Sequence, residues 1–112
     1  MSDFLKKIQD MRVVQAEAEK KGETALYRLF EVAQGDSSQC EVVAKFLLGC
    51  YNGYRFKFDL TDFRRLDKSI FDDCLLVLKM DWSPKKEVHE YFQEGSKKFE
   101  NLAKDWRIES ND

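Results

Sequence analysis

The chain has 112 residues, 43% hydrophobic, 13% aromatic and 36% charged, with 19 basic residues against 21 acidic ones and a formal charge of −2. This length suits one domain around one core and leaves no room for a second, and the aromatic content argues against intrinsic disorder. The near-neutral balance excludes a global field that would draw the chain to phosphate backbones or anionic lipid, so any nucleic-acid site would have to be a local patch.

Met-Ser-Asp-Phe-Leu-Lys-Lys is charged too early for a signal peptide, and no later apolar run approaches the length of a membrane span. The cysteines at 40, 50 and 74 form no Cys-x-x-Cys pair, which suits thiols acting as small core hydrophobes in a reducing compartment. A cytoplasmic protein with no membrane partner is expected.

From Ser2 to about Lys20, Phe4, Ile8, Met11, Val14 and Ala18 recur at helical spacing, with Ser2 or Asp3 placed to cap. Gly22 is expected to interrupt this amphipathic helix. A second helix then carries Leu26, Leu29, Phe30 and Ala33 to Gly35, where a left-handed glycine would end it. Asp36, Ser37 and Ser38 can cap a third, whose buried face is Val43, Phe46, Leu47 and Cys50 and which stops at the turn pair Asn52-Gly53. Gly49 inside it points to the close approach of a neighbouring helix.

The stretch Gly53 to Phe58, GYRFKF, interleaves rings with cations behind a glycine, as the RNA-contacting strand of an RRM domain does. Such a strand needs a four-stranded sheet, and this segment stands alone among helices. The expectation is an extended connector with Tyr54, Phe56 and Phe58 plugging the core and Arg55 and Lys57 facing water. Across 54–68 the bases Arg55, Lys57, Arg64, Arg65 and Lys68 outnumber Asp59, Asp62 and Asp67, which makes those five bases a candidate interaction patch. The three aspartates read as helix-capping residues.

Asp67 can cap a helix from Lys68 to about Trp82, in which Ile70, Phe71, Cys74, Leu75, Val77 and Leu78 cover most of the girth and predict a central position. Ser83-Pro84 reads as the start of another helix through Val88, Tyr91 and Phe92 to Gly95. Phe99, Leu102, Ala103 and Trp106 then mark the last one, and 109–112 read as a disordered tail. The expected organisation is an N-terminal amphipathic helix at 1–22 and a helical domain at 23–108. The fold class is all-α: about six helices, short loops and one extended connector near 54–58.

Residues that could carry chemistry are few. His89-Glu90 begins like a zincin motif, but position 93 is Gln93 and His89 is the one histidine of the chain, so no metal site is expected. A calcium loop begun at Asp59 would place Arg64 at its glycine position and Ile70 at its bidentate glutamate. The glycines at 22, 35, 49, 53 and 95 are isolated, so no phosphate cradle is present. Cys74, flanked by Phe71, Leu75 and Leu78, reads as a buried, unreactive thiol. No cofactor, metal or catalytic residue is expected, and an enzyme would need the fold to build a pocket around His89 with Cys or carboxylate neighbours.

LYRLFEVAQGDSSQ, FLLGCYN, FDLTDFRRLD and VHEYF together resemble a family of small uncharacterised bacterial proteins often met on plasmids and other mobile elements. Its members share a helix ending in an Ala-x-x-Asp-like turn and a later Asp-Leu-Thr segment. The resemblance covers about Ala25 to Trp106, brings no catalytic residue, and implies a bacterial, cytoplasmic, accessory role.

The expected function is that of a non-enzymatic helical interaction or accessory protein, which binds an unidentified protein partner or self-associates through the N-terminal helix. The alternative is a nucleic-acid-binding regulator using the patch at 55–68. The core reading expects Phe46→Ala and Leu75→Ala each to cost about 2–5 kcal/mol, seen as a lowered thermal midpoint.

Overall fold

A computed structural model of the chain describes residues 2–108 and 110, so positions 109, 111 and 112 of the expected tail lie outside the described residues. The architecture is all-α, with α1 at Ser2–Ala33, α2 at Ser38–Tyr51, a 3-10 helix at Leu60–Arg65, α3 at Lys68–Asp81, a second 3-10 helix at Val88–Tyr91 and α4 at Gly95–Asp105. Among the described residues there is no strand.

Helix α1 runs unbroken through Gly22, against the expectation of two helices meeting there. The glycine serves a close approach instead. A β-carbon at position 22 would stand 2.5 Å from the Met80 β-carbon and 3.0 Å from the Leu76 carbonyl oxygen, so α1 and α3 touch nearly backbone to backbone. The two helices are antiparallel, since the Gln15 side chain donates to the Ser83 carbonyl at 3.3 Å while Arg28 grips Asp73 through two bonds of 2.9 and 2.8 Å. Ala25, Leu26, Leu29 and Ala33 of α1 and Cys74, Val77 and Met80 of α3 are buried, and with Val43, Leu47, Phe99 and Leu102 from α2 and α4 they form one core.

Local chemistry sets the element ends. Ser37 caps α2 by accepting from the Cys40 N–H at 3.3 Å, and Asp59 caps the first 3-10 helix by accepting from the Thr61 N–H and hydroxyl at 2.9 and 2.8 Å. The Gln39 amide accepts from the Asp67 N–H and donates to its carboxylate, which ties the start of α3 to the first turn of α2. Gly35 follows α1 as expected, but no glycine among the described residues has positive φ. Its smallness is used against Cys40, whose sulfur would lie 2.6 Å from a β-carbon at 35.

Three expectations need correcting. Ser83-Pro84 starts no helix: residues 83–87 turn, and the short helix at Val88–Tyr91 begins where the Glu90 carboxylate accepts from the Glu87 N–H at 2.9 Å. Gly95 opens α4 instead of ending a helix, because left-handed Glu94 (φ 53°) folds the chain back until a β-carbon at 95 would lie 1.7 Å from the His89 carbonyl oxygen. Leu75 and Leu78 are 37% and 40% exposed, so α3 is apolar beyond the face it buries.

Within the connector, residues 53–55 form a turn. The Asn52 side chain accepts from the N–H groups of Tyr54 and Arg55 at 3.1 and 3.2 Å, and irregular chain follows at 57–59, extended at Asp59. Phe56 is buried and Phe58 half-buried, but Tyr54 is 89% exposed because the turn rotates it outward. The rings of Phe46, Phe58, Phe63 and Phe71 pack in a chain with centroids 4.9 to 5.7 Å apart.

Phe46, 3% exposed, should cost about 3–5 kcal/mol as Phe46→Ala, and Leu75→Ala should cost less than about 1 kcal/mol by urea denaturation. Gly95→Ala should destabilise by more than about 2 kcal/mol despite the better helix propensity of alanine, whereas Gly49→Ala should be neutral or stabilising by about 1 kcal/mol. The asymmetry follows from space, since a β-carbon at 49 meets only an ordinary contact of 3.5 Å with the Phe58 β-carbon.

Candidate functional site

The five bases of the predicted patch sit on three elements, the connector, the first 3-10 helix and α3. Arg55, in the turn, reaches α4 and forms a fork with Glu100 at 2.6 and 3.0 Å, and its Nε donates to the Ser110 hydroxyl at 3.0 Å. The Arg55 guanidinium, with the Tyr51 hydroxyl that donates to Glu100 at 2.6 Å, holds the Glu100 carboxyl below the usual carboxylate range. Lys57 donates to the Gly53 carbonyl at 2.8 Å. Arg65 lies 3.9 Å from Asp62, and Lys68 pairs with Asp72 at 2.9 Å. Arg64 is exposed beside Asp59, whose carboxyl is lowered first by its bonds from Thr61 and then by that charge. Asp59, Asp62, the Gly53 carbonyl and the partners on α3 and α4 thus set an acid or a carbonyl beside each base. Of the three aspartates read as caps only Asp59 makes a capping bond, since Asp62 lies within the 3-10 helix and Asp67, at the N-cap position of α3, makes none from its side chain.

A second surface is the free half of α1. Past the Gln15 to Ser83 contact the helix has no packing neighbour among the described residues, and Phe4, Leu5, Met11, Val13 and Val14 are 58 to 67% exposed. Phe4, Ile8, Met11, Gln15, Ala18, Gly22, Ala25 and Leu29 alternate at spacings of four and three. The stripe on this arm therefore continues the seam that α1 buries against α3.

The third feature is a groove of about 350 Å³ between α2, the connector, the first 3-10 helix and the end of α3. The phenylalanines at 46, 56, 58 and 63 line it, with Gly49 where a side chain would have filled the space and with Leu60 and Leu78 at the edge. Its polar groups are the Cys50 thiol, Lys57 and Asp81. Burial pushes the Cys50 thiol well up, with Asp81 and Cys74 adding to the effect, so the sulfur stays protonated. The Asp81 carboxyl is pushed up to about 6, first by burial and then by Glu87. Among the described residues the Asp81 carboxylate makes no hydrogen bond or ion pair.

His89 is half-buried and lies outside this groove, with its ring edge-on to Tyr51 at 5.2 Å and its Nδ1 buried without a hydrogen-bond partner among the described residues. Burial pushes the Cys74 thiol up to about 12. Among the described residues no group of three or more His, Cys, Asp or Glu could hold a metal ion, and no helix is long and apolar enough to cross a membrane. The groove and Asp81 were missed by the sequence reading, since the lining is spread from position 46 to position 81; its one signal was the lone glycine at 49.

Comparison with known proteins finds one family, described as a family of unknown function (DUF7673), matching residues 23–107. No curated protein and no solved structure matches.

Because its folded pKa is raised, Asp81 binds a proton more tightly in the folded state. Below the unfolded value it costs nothing; stability is lost as pH rises from about 4 to about 6 and the loss is constant above. Asp81→Asn should therefore melt higher than wild type near pH 7.5, with the gap closing near pH 3.5.

Proposed function

The chain belongs to that family of unknown function, and we propose that it acts as a non-enzymatic interaction protein that self-associates through the free half of α1. The observation that carries this reading is the uncovered apolar stripe on a helix whose other half buries the same stripe. A projecting stretch of about 13 helical residues is marginal without packing, so a partner that covers it is favoured by both the helix and the stripe.

The charges on the arm support a second copy as that partner. With two arms antiparallel about Ile8, Lys6 comes opposite Asp10 and Leu5 opposite Met11, while Asp3 comes opposite Val13, one residue from Arg12. A two-fold contact needs such self-complementarity, and a parallel pair would set like charges together. Pairing would remove on the order of 1,000 Å² of apolar surface, near the lower limit for a specific interface, which implies a reversible dimer.

The rival role, nucleic-acid binding through Arg55, Lys57, Arg64, Arg65 and Lys68, would require phosphates to compete with Glu100, Asp62 and Asp72 for bases they already hold. The bacterial, mobile-element setting implied by the resemblance suits an accessory role of the first kind and belongs to the same proposal.

Sedimentation velocity across a hundredfold concentration range tests this. Wild type should shift from monomer toward dimer, and the Ile8→Asp/Met11→Asp variant should remain monomeric with an unchanged melt, since its substitutions lie on the free arm. A wild type that is monomeric throughout, or a variant that dimerises equally well, would contradict it.

A further inference from the structure

The groove beside α3 is separate from the arm and combines an aromatic lining with a single acid. Four phenylalanines line it, Phe58 and Phe63 half-buried and Phe46 and Phe56 nearly covered, and the carboxylate of its one acid, Asp81, is half-buried without a hydrogen-bonding partner among the described residues. Aromatic faces attract a cation through the ring quadrupole, and an unpartnered carboxylate in a poorly hydrated recess is a counter-ion with nothing to neutralise it. We propose that this groove binds a small organic cation, an apolar or aromatic body carrying one ammonium group, with Asp81 as its counter-ion.

The remaining groups fit that assignment. The volume of about 350 Å³ lies at the small end of ligand pockets and accommodates one ring and a short chain. Lys57, the cation already lining the groove, is committed to the Gly53 carbonyl at 2.8 Å and lies 5.8 Å from the Tyr54 ring centre. The protonated Cys50 thiol adds no competing charge. The charged and titratable groups that face Asp81 are Glu87, Cys50 and Tyr91, with Lys57 across the groove. Glu87 deepens the negative potential, and at neutral pH the thiol and the phenol are uncharged.

The test titrates 2-phenylethylammonium, its neutral isostere 2-phenylethanol and anionic 3-phenylpropionate into the full chain, followed by calorimetry and by the amide shifts of Gly49 and Gly53. The ammonium should bind about tenfold more tightly than the alcohol, with the carboxylate weakest. Asp81→Asn should bring the ammonium down to the level of the alcohol, and lowering the pH from 7 to 5 should do the same to wild type as Asp81 takes up its proton. Gly49→Leu, which fills the groove, should abolish both. Equal binding of ammonium and alcohol, undiminished ammonium binding by Asp81→Asn, or no movement of Gly49 and Gly53 with any probe would overturn the assignment.

Discussion

At Gly22 the backbone of α1 comes so close to α3 that a β-carbon would stand 2.5 Å from that of Met80, and the arrangement of the molecule follows from this approach. Small residues at 18, 22 and 25 let the two helices meet along an antiparallel seam, and the larger Leu26 and Leu29 then reach the common core. The Arg28 to Asp73 fork closes one end of the seam, and the Gln15 to Ser83 bond closes the other. Since α3 ends at Asp81, the rest of α1 has no neighbour among the described residues and carries its stripe into solvent.

Both proposed surfaces stem from that end of α3. The arm leaves at Gln15, opposite Ser83, and Asp81, two residues before Ser83, opens into the groove. The arm is long, apolar and self-complementary in charge, which fits a protein partner. The groove is short and ring-lined around a single acid, which fits a small cation. The family match begins at residue 23, so the groove lies within the matched region and the arm precedes it.

Much of the fold was legible because its causes are local. Ser37 and Asp59 cap the elements that their positions predict, and the stripes of α2 and α4 face the core as their spacing implies. The glycines were less legible, because one residue type serves both conformational freedom and close approach, and only the neighbour decides which. Gly22, Gly35 and Gly95 all serve approach, to Met80, Cys40 and His89 respectively. Leu75 and Leu78 misled for a related reason: a helix apolar around its girth reads as central, yet here the excess apolar face borders a groove and solvent. The patch could not be judged from its own residues either. Arg55 meets Glu100 across 45 positions, a pairing that only the packing of the connector on α4 creates.

The most direct test of this account is amide hydrogen exchange along α1 at several protein concentrations. The seam and the arm belong to one helix, so they differ only in what covers them. Residues 22–33 should be strongly protected at every concentration, while residues 4–14 should exchange quickly when dilute and gain protection as the concentration rises. Protection of 4–14 that is independent of concentration, whether high or low, would contradict the account.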